Sequence, residues 1–136
     1  MDCIFCRIAN GEIPSYRIYE DDVFVAILDI SQATMGHTLL IPKKHFANVY
    51  EIDEATISHM FAKIPSLSKA IRDAFSPIGL NIIINTDKPL QSVFHFHVHL
   101  IPRYDNDNIS MTFTNNMDKM TPAKFIAIAD KIKENL

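Results

Sequence analysis

The chain has 136 residues, 48% of them hydrophobic and 21% charged, with a formal net charge of -3. That is the size and composition of one soluble domain able to close its own core, and it excludes a fibre or a disordered chain. The acidic balance argues against a general nucleic-acid binder, and no segment approaches the roughly 20 apolar residues of a membrane span. No apolar run of signal length follows Met1-Asp2-Cys3, so a cytoplasmic protein is expected.

Residues Cys3 to Asn10 carry Ile4, Phe5 and Ile8 at helical spacing, with Gly11 where a left-handed cap sits, which predicts a short N-terminal helix. Tyr16 to Tyr19 and Val23 to Leu28 are rich in aromatic and β-branched residues and flank Glu20-Asp21-Asp22, the pattern of a β-hairpin. Thr38 to Ile41 forms a third strand, ended by Pro42 because proline cannot donate to a central ladder. Glu54 to Phe75 places Ile57, Phe61, Ile64, Leu67 and Ile71 at intervals of three or four, an amphipathic helix that Pro65 is expected to kink or interrupt. His59 falls on the presumed exposed face of that helix and receives no role.

Two more strands follow, Leu80 to Ile84 and Phe94 to Ile101. Asp105 to Met120 is polar and reads as a loop near the site or a partner. Thr121-Pro122 resembles a cap with proline at the first helical position, followed by Phe125, Ile128 and Ile132 facing inward. No repeat or linker interrupts the chain, so residues 1–136 read as one α+β domain with a mainly antiparallel five-stranded sheet.

The chemistry concentrates in Gln91-Ser92-Val93-Phe94-His95-Phe96-His97-Val98-His99. Side chains alternate along a strand, so His95, His97 and His99 are expected on one face within roughly 13 Å, at about 3.3 Å per residue. Two chemical uses remain open for such a row. It can be half of a catalytic metal site, or one imidazole can attack phosphorus while its neighbours orient the phosphate. Cys3 and Cys6, three apart, add a second signal: in a reducing compartment such a pair is more often a metal half-site or a redox pair than a structural disulfide.

His95-Phe96-His97-Val98-His99-Leu100-Ile101 resembles the His-x-His-x-His-x-x signature of the histidine triad (HIT) family. The similarity continues through Cys3-Ile4-Phe5-Cys6, Gly11-Glu12-Ile13-Pro14, Leu28-Asp29-Ile30 and Gly36-His37-Thr38-Leu39-Leu40-Ile41-Pro42-Lys43-Lys44-His45. It covers residues 3–103, leaving 104–136 as a C-terminal loop and helix.

The resemblance implies a HIT-like fold and a nucleotidyl hydrolase or transferase. The short branch it resembles releases AMP or another nucleoside monophosphate from phosphoramidates or dinucleotide polyphosphates. In that family His97 would be the nucleophile, forming a nucleotidyl-histidine. His99 would contact the phosphate oxygens, Ser92 would donate to the phosphate or leaving group, and His37 would support the nucleophile from a neighbouring strand. Asp29 would accept from the ribose hydroxyls. Ile4, Phe5, Ile8, Ile27 and Leu39 would wall a purine base, with Asn85 near the phosphate and Gln91 among the substrate-binding residues.

The resemblance further implies structural zinc on Cys3, Cys6, His45 and His95, and a homodimer formed through the sheet and the long helix. Nucleic acid and membranes are not expected as partners. A departure from the family pattern falls at Thr86-Asp87-Lys88-Pro89-Leu90, which lacks the glycine that usually precedes the glutamine, so this loop is expected to take another path. Two further readings stand beside the enzyme: a nucleotide-binding regulatory module with little catalysis, and a zinc metallohydrolase.

Overall fold

The computed structural model describes residues 2–136. In chain order the elements are α1 (Ile4–Ala9), β1 (Arg17–Glu20), β2 (Phe24–Leu28), β3 (Thr38–Pro42), α2 (Glu54–Phe75), β4 (Gly79–Ile83), β5 (Val98–Arg103) and α3 (Pro122–Lys133), with a 3₁₀ turn at Met117–Lys119. The strands form one sheet in the order β1-β2-β3-β5-β4, with every adjacent pair antiparallel. This is the α+β architecture expected from the sequence. Among the described residues no helix is long and apolar enough to cross a membrane.

Alternation along the central strands divides the interior into two layers. Phe24, Ala26, Leu40, Val98 and Leu100 face α2 and pack with its Met60, Ile64, Leu67 and Ile71. Val25, Ile27, Leu39 and Ile41 face the other way and pack with Phe5, Ile8 and Ala9 of α1. In the pairing register Ile27 lies opposite Leu39, Leu39 opposite His99, and His99 opposite Ile83. The register therefore sets His99 on the layer of the sheet covered by α1.

Four features differ from the sequence-based expectations. Pro65 lies inside α2, which runs unbroken from Glu54 to Phe75; burial of Met60, Ile64, Leu67 and Ile71, at about 1.5–3 kcal/mol each, outweighs the ~3 kcal/mol cost of an internal proline. His59 is half-buried and has a structural role, donating through Nε2 to Asp21 at 2.7 Å. Asp21 also accepts from the Tyr19 hydroxyl and the backbone of Val23 and Phe24, so it closes the β1–β2 hairpin and ties it to α2.

The third difference is that α3 does not face inward. Thr121 caps it and Pro122 opens it, but Phe125, Ile128 and Ile132 remain more than half exposed. Capping and periodicity specify a helix, while burial needs a complementary surface that one copy of the chain does not offer this element.

The last difference concerns the final strand, which starts at Val98 rather than Phe94. Two bonds explain the shorter element. The Pro42 carbonyl accepts from the His95 ring at 2.8 Å, and the Phe96 N–H turns to Phe46 O. With these groups engaged elsewhere, residues 94–97 leave the ladder before β5 pairs with β3.

Candidate active site and metal cluster

Because residues 94–97 leave the sheet, the three signature histidines do not stand in one row. His95 is fully buried and turns toward α1 and His45, whereas His97 and His99 stay together with ring centroids 4.9 Å apart. Phe5 of α1 packs edge-on against both His97 and His95, at 4.9 and 6.0 Å between centroids.

Backbone groups fix the protonation pattern of these rings, since a carbonyl only accepts and an N–H only donates. Nδ1 of His97 lies 2.7 Å from the His95 carbonyl and therefore carries the proton. Its Nε2 keeps a lone pair, makes no hydrogen bond among the described residues and is not sealed from solvent. Burial pushes the His97 pKa down, against the pull of the His95 carbonyl and the Asp29 charge. The neutral, attacking form of the imidazole is thus favoured at neutral pH.

A second chain of bonds ends at His99. The backbone N–H of Ala33 donates to Nδ1 of His37 at 3.2 Å, which leaves the proton of neutral His37 on Nε2. That Nε2 donates to Nδ1 of His99 at 3.0 Å, so His99 in turn carries its proton on Nε2. Burial, then the neighbouring His97 and His37, push His99 down to about 4, and burial also lowers His37. His99 therefore presents a neutral N–H donor beside the lone pair of His97. His37 supports His99 directly, and reaches the proposed nucleophile only through it.

Asp29 lies beside this chain of bonds, with Oδ2 3.7 Å from Nε2 of His37 and no hydrogen bond to it. Burial opposes its charge, but the N–H and hydroxyl of Ser31, at 2.8 and 2.7 Å, hold its carboxyl below the usual range. Asp29, His37 and His99 lie close enough to suggest a metal site. The Ala33 bond opposes it, because His37 would have to lose its Nε2 proton while Nδ1 already accepts. His37 and His99 form a hydrogen-bonded pair fed by the Ala33 N–H, and the Asp29 carboxylate acts on them by its charge alone.

A separate cluster joins Cys3, Cys6, His45 and His95, whose ligand atoms all lie within 4.8 Å of one another. Nδ1 of His95 is 3.3 Å from the Cys3 sulfur, 3.4 Å from the Cys6 sulfur and 3.1 Å from Nδ1 of His45, which is itself 3.4 Å from Cys6. A tetrahedron of two sulfurs and two nitrogens around zinc has edges of roughly 3.3–3.8 Å, so the four residues fit such an ion. The bond from His95 Nε2 to Pro42 leaves Nδ1 as the ligating nitrogen, the usual outer-shell arrangement of a metal-bound histidine. Burial and the adjacent Cys3 push the Cys6 thiol up to about 11; a divalent cation supplies the opposing charge that makes thiolates.

The remaining candidates fall into three places. Ile8, Ile27 and Leu39 are buried in the apolar layer behind Phe5. Ile4 and Ser92 meet in a cleft of about 700 Å³ next to Cys3 and His45, together with Arg7 and Phe94. Asn85 is half-buried and without a hydrogen bond among the described residues.

Gln91 turns its side chain onto the protein, accepting from Asp87 N at 2.7 Å and donating to Ala47 O at 2.7 Å. It braces the glycine-free loop, where Asp87 adopts a left-handed φ of 57°. An acidic residue there provides the turn that glycine ordinarily does. The Ala33 N–H and the carbonyls of Pro42 and His95 carry no residue-type signal in the sequence, since every backbone offers such groups.

Residues 10–106 match the HIT domain model. The structure superposes on that of a HIT family member from Bacillus subtilis with a TM-score of 0.96 and 44% identity, over 100% of this chain and 98% of that one. It resembles a zinc-bound histidine triad protein from Mycobacterium smegmatis (TM-score 0.75, 35% identity, 96% and 98% covered) and a histidine triad nucleotide-binding protein from Candida albicans (TM-score 0.88, 30% identity, 98% and 96% covered). Among sequence relatives, the Arabidopsis thaliana adenylylsulfatase HINT3 is 38% identical over 78% of this chain and 54% of its own length. The chain therefore belongs to the histidine triad family.

Proposed function

We propose that this protein is a nucleotidyl hydrolase or transferase that releases AMP, or another nucleoside monophosphate, through a covalent intermediate on His97. The observation that carries this reading is the bond from His97 Nδ1 to the His95 carbonyl, which leaves Nε2 as a neutral nucleophile. In the first step Nε2 bonds to the α-phosphorus, the bond to the leaving group breaks, and the leaving group departs with its electron pair, an amine taking a proton from solvent as it goes. Ser92 donates toward the phosphate or the departing group. In the second step water attacks phosphorus and gives up a proton to solvent, the N–P bond breaks with its electron pair returning to Nε2, and neutral His97 is restored.

His99 contributes an N–H aimed at the phosphate oxygens, a preorganised donor where negative charge develops. Asp29 accepts from the ribose hydroxyls, and Phe5, backed by the buried Ile8, Ile27 and Leu39 and joined by Ile4 from the neighbouring cleft, offers the apolar wall for a purine, with Asn85 near the phosphate. Phosphoramidates and dinucleotide polyphosphates fit this chemistry, as does the adenylyl sulfate named for the plant relative.

Cys3, Cys6, His45 and His95 would hold a structural zinc ion that pins α1 to the sheet. Four protein ligands leave no open position for a reacting water, which supports His97 over a metal-activated hydroxide as the attacking group. We further propose a cytoplasmic homodimer. β4 is an edge strand with Ile82 46% exposed, and α2 presents Phe61 and Phe75, each 40% exposed, so the sheet and the long helix offer a surface for a second copy.

The direct test is to mix the protein with an AMP–lysine phosphoramidate, quench in alkali, and search by mass spectrometry for AMP on His97. A histidine phosphoramidate survives base. The reading requires the adduct at His97; turnover with no adduct there, and with full sensitivity to chelation, would assign the reaction to a metal-bound water instead.

A further inference from the structure

Between β2 and β3 the chain passes from Asp29 to His37 through residues 30–36. Asp29 N donates to His37 O at 3.0 Å, one rung beyond the Leu28–Thr38 pair, and the mouth of the loop is then spanned by one side chain. The carboxamide nitrogen of Gln32 donates to Asp29 O and to His37 O, both at 2.7 Å, and its oxygen accepts from Gly36 N at 2.9 Å. Both ends of the loop and the residue before His37 are thus tied to a single half-buried amide.

The backbone at the same residue is strained. Gln32 has φ of 42°, a left-handed conformation that few residues with a side chain adopt. Its immediate neighbour is Ala33, whose N–H meets Nδ1 of His37. A nearby bond, from the Thr34 hydroxyl to Pro102 O at 2.6 Å, anchors the loop to β5, while the Gln32 amide braces both carbonyls at the mouth and the Gly36 N–H.

We propose that Gln32 is a positioning residue of the reaction. Its amide braces the carbonyls of Asp29 and His37 against the loop and aims the Ala33 N–H that fixes the protonation pattern of His37, and through it that of His99. It therefore links recognition of the ribose to presentation of the phosphate donor. The kinetic part rests on the reading that Asp29 meets the ribose and His99 the phosphate; the link to the protonation pattern does not.

Two variants separate the amide from the backbone turn. Gln32→Asn tolerates left-handed φ but is one methylene too short to span both carbonyls, and Gln32→Gly removes the side chain while relieving the backbone strain. Long-range ¹H–¹⁵N spectra of the protein as purified, near neutral pH, report where each imidazole proton sits. Wild type should show His37 and His99 each with the proton on Nε2, and both variants should show mixed forms.

In parallel, the preference for adenosine 5′-phosphoramidate over its 2′-deoxy analogue, as a ratio of kcat/KM, should fall about tenfold, the equivalent of one misplaced hydrogen bond. Either readout unchanged from wild type in both variants overturns the proposal. A wild-type protein that turns over neither substrate removes the proposed function, and the ring spectra then decide the role of Gln32 alone.

Discussion

The carbonyl of His95 holds Nδ1 of His97 at 2.7 Å, while the ring of the same His95 points Nδ1 at Cys3, Cys6 and His45. One residue thus belongs to the metal cluster through its side chain and to the candidate catalytic pair through its backbone. Phe5, packed on both rings from the helix that Cys3 caps and that contains Cys6, makes a second connection between the same two centres.

Replacement of His97 by alanine should lower kcat by about 10³-fold or more while nucleotide binding persists, because the proposed covalent nucleophile is lost and the pocket is kept. Steady-state rates paired with titration calorimetry of AMP check this. Unchanged turnover in His97→Ala would exclude the covalent route.

Loss of His37 should be milder. Its bond to His99 positions a donor and takes no part in bond making, so His37→Ala is expected to lower kcat about tenfold, the equivalent of one hydrogen bond. A loss as large as that of His97→Ala would mean that His37 touches the reacting atoms.

Protein purified without chelator should contain close to one zinc per chain by elemental analysis. Stripping the metal, or substituting Cys6→Ser, should lower the melting temperature by about 10 °C or more, since binding to a structural site adds directly to folding free energy. A metal-free protein with the melting temperature of the purified one would remove zinc from the fold.

The pH dependence follows from the lowered histidine pKa values. His99 is held at about 4 when folded against an ordinary value of 6.5, with His37 and His97 shifted in the same direction. Between pH 6.5 and about 4 the unfolded chain binds more protons at these sites, so stability falls as pH falls and is fully present only above 6.5. Melting temperatures across that range should drop toward acid, and the acidic limb of kcat/KM should lie below 6.5. An activity midpoint at or above 6.5 would contradict neutral, desolvated rings.

Ile82→Lys places a charge on the exposed edge strand and should shift the protein to monomers in analytical ultracentrifugation. A dimer that persists in this variant would place the contact elsewhere, with the uncovered apolar side chains of α3 as the next surface to substitute.

The sequence by itself determined the order of the elements, because apolar periodicity and caps are local: α2 begins at Glu54 and ends at Phe75 as its pattern predicts, and Thr121-Pro122 opens α3. It also determined which residue types gather, since the histidine and cysteine spacings resemble a known signature, and all four proposed metal ligands meet. Tertiary structure decided how each imidazole is used. Pro42, His95 and Ala33 place carbonyl and N–H groups that withdraw His95 from the strand, free one nitrogen of His97 and turn His99 into a donor. Every residue but proline has the same backbone donor and acceptor, so no side-chain pattern encodes which ones arrive beside a ring; only the folded path of the chain does.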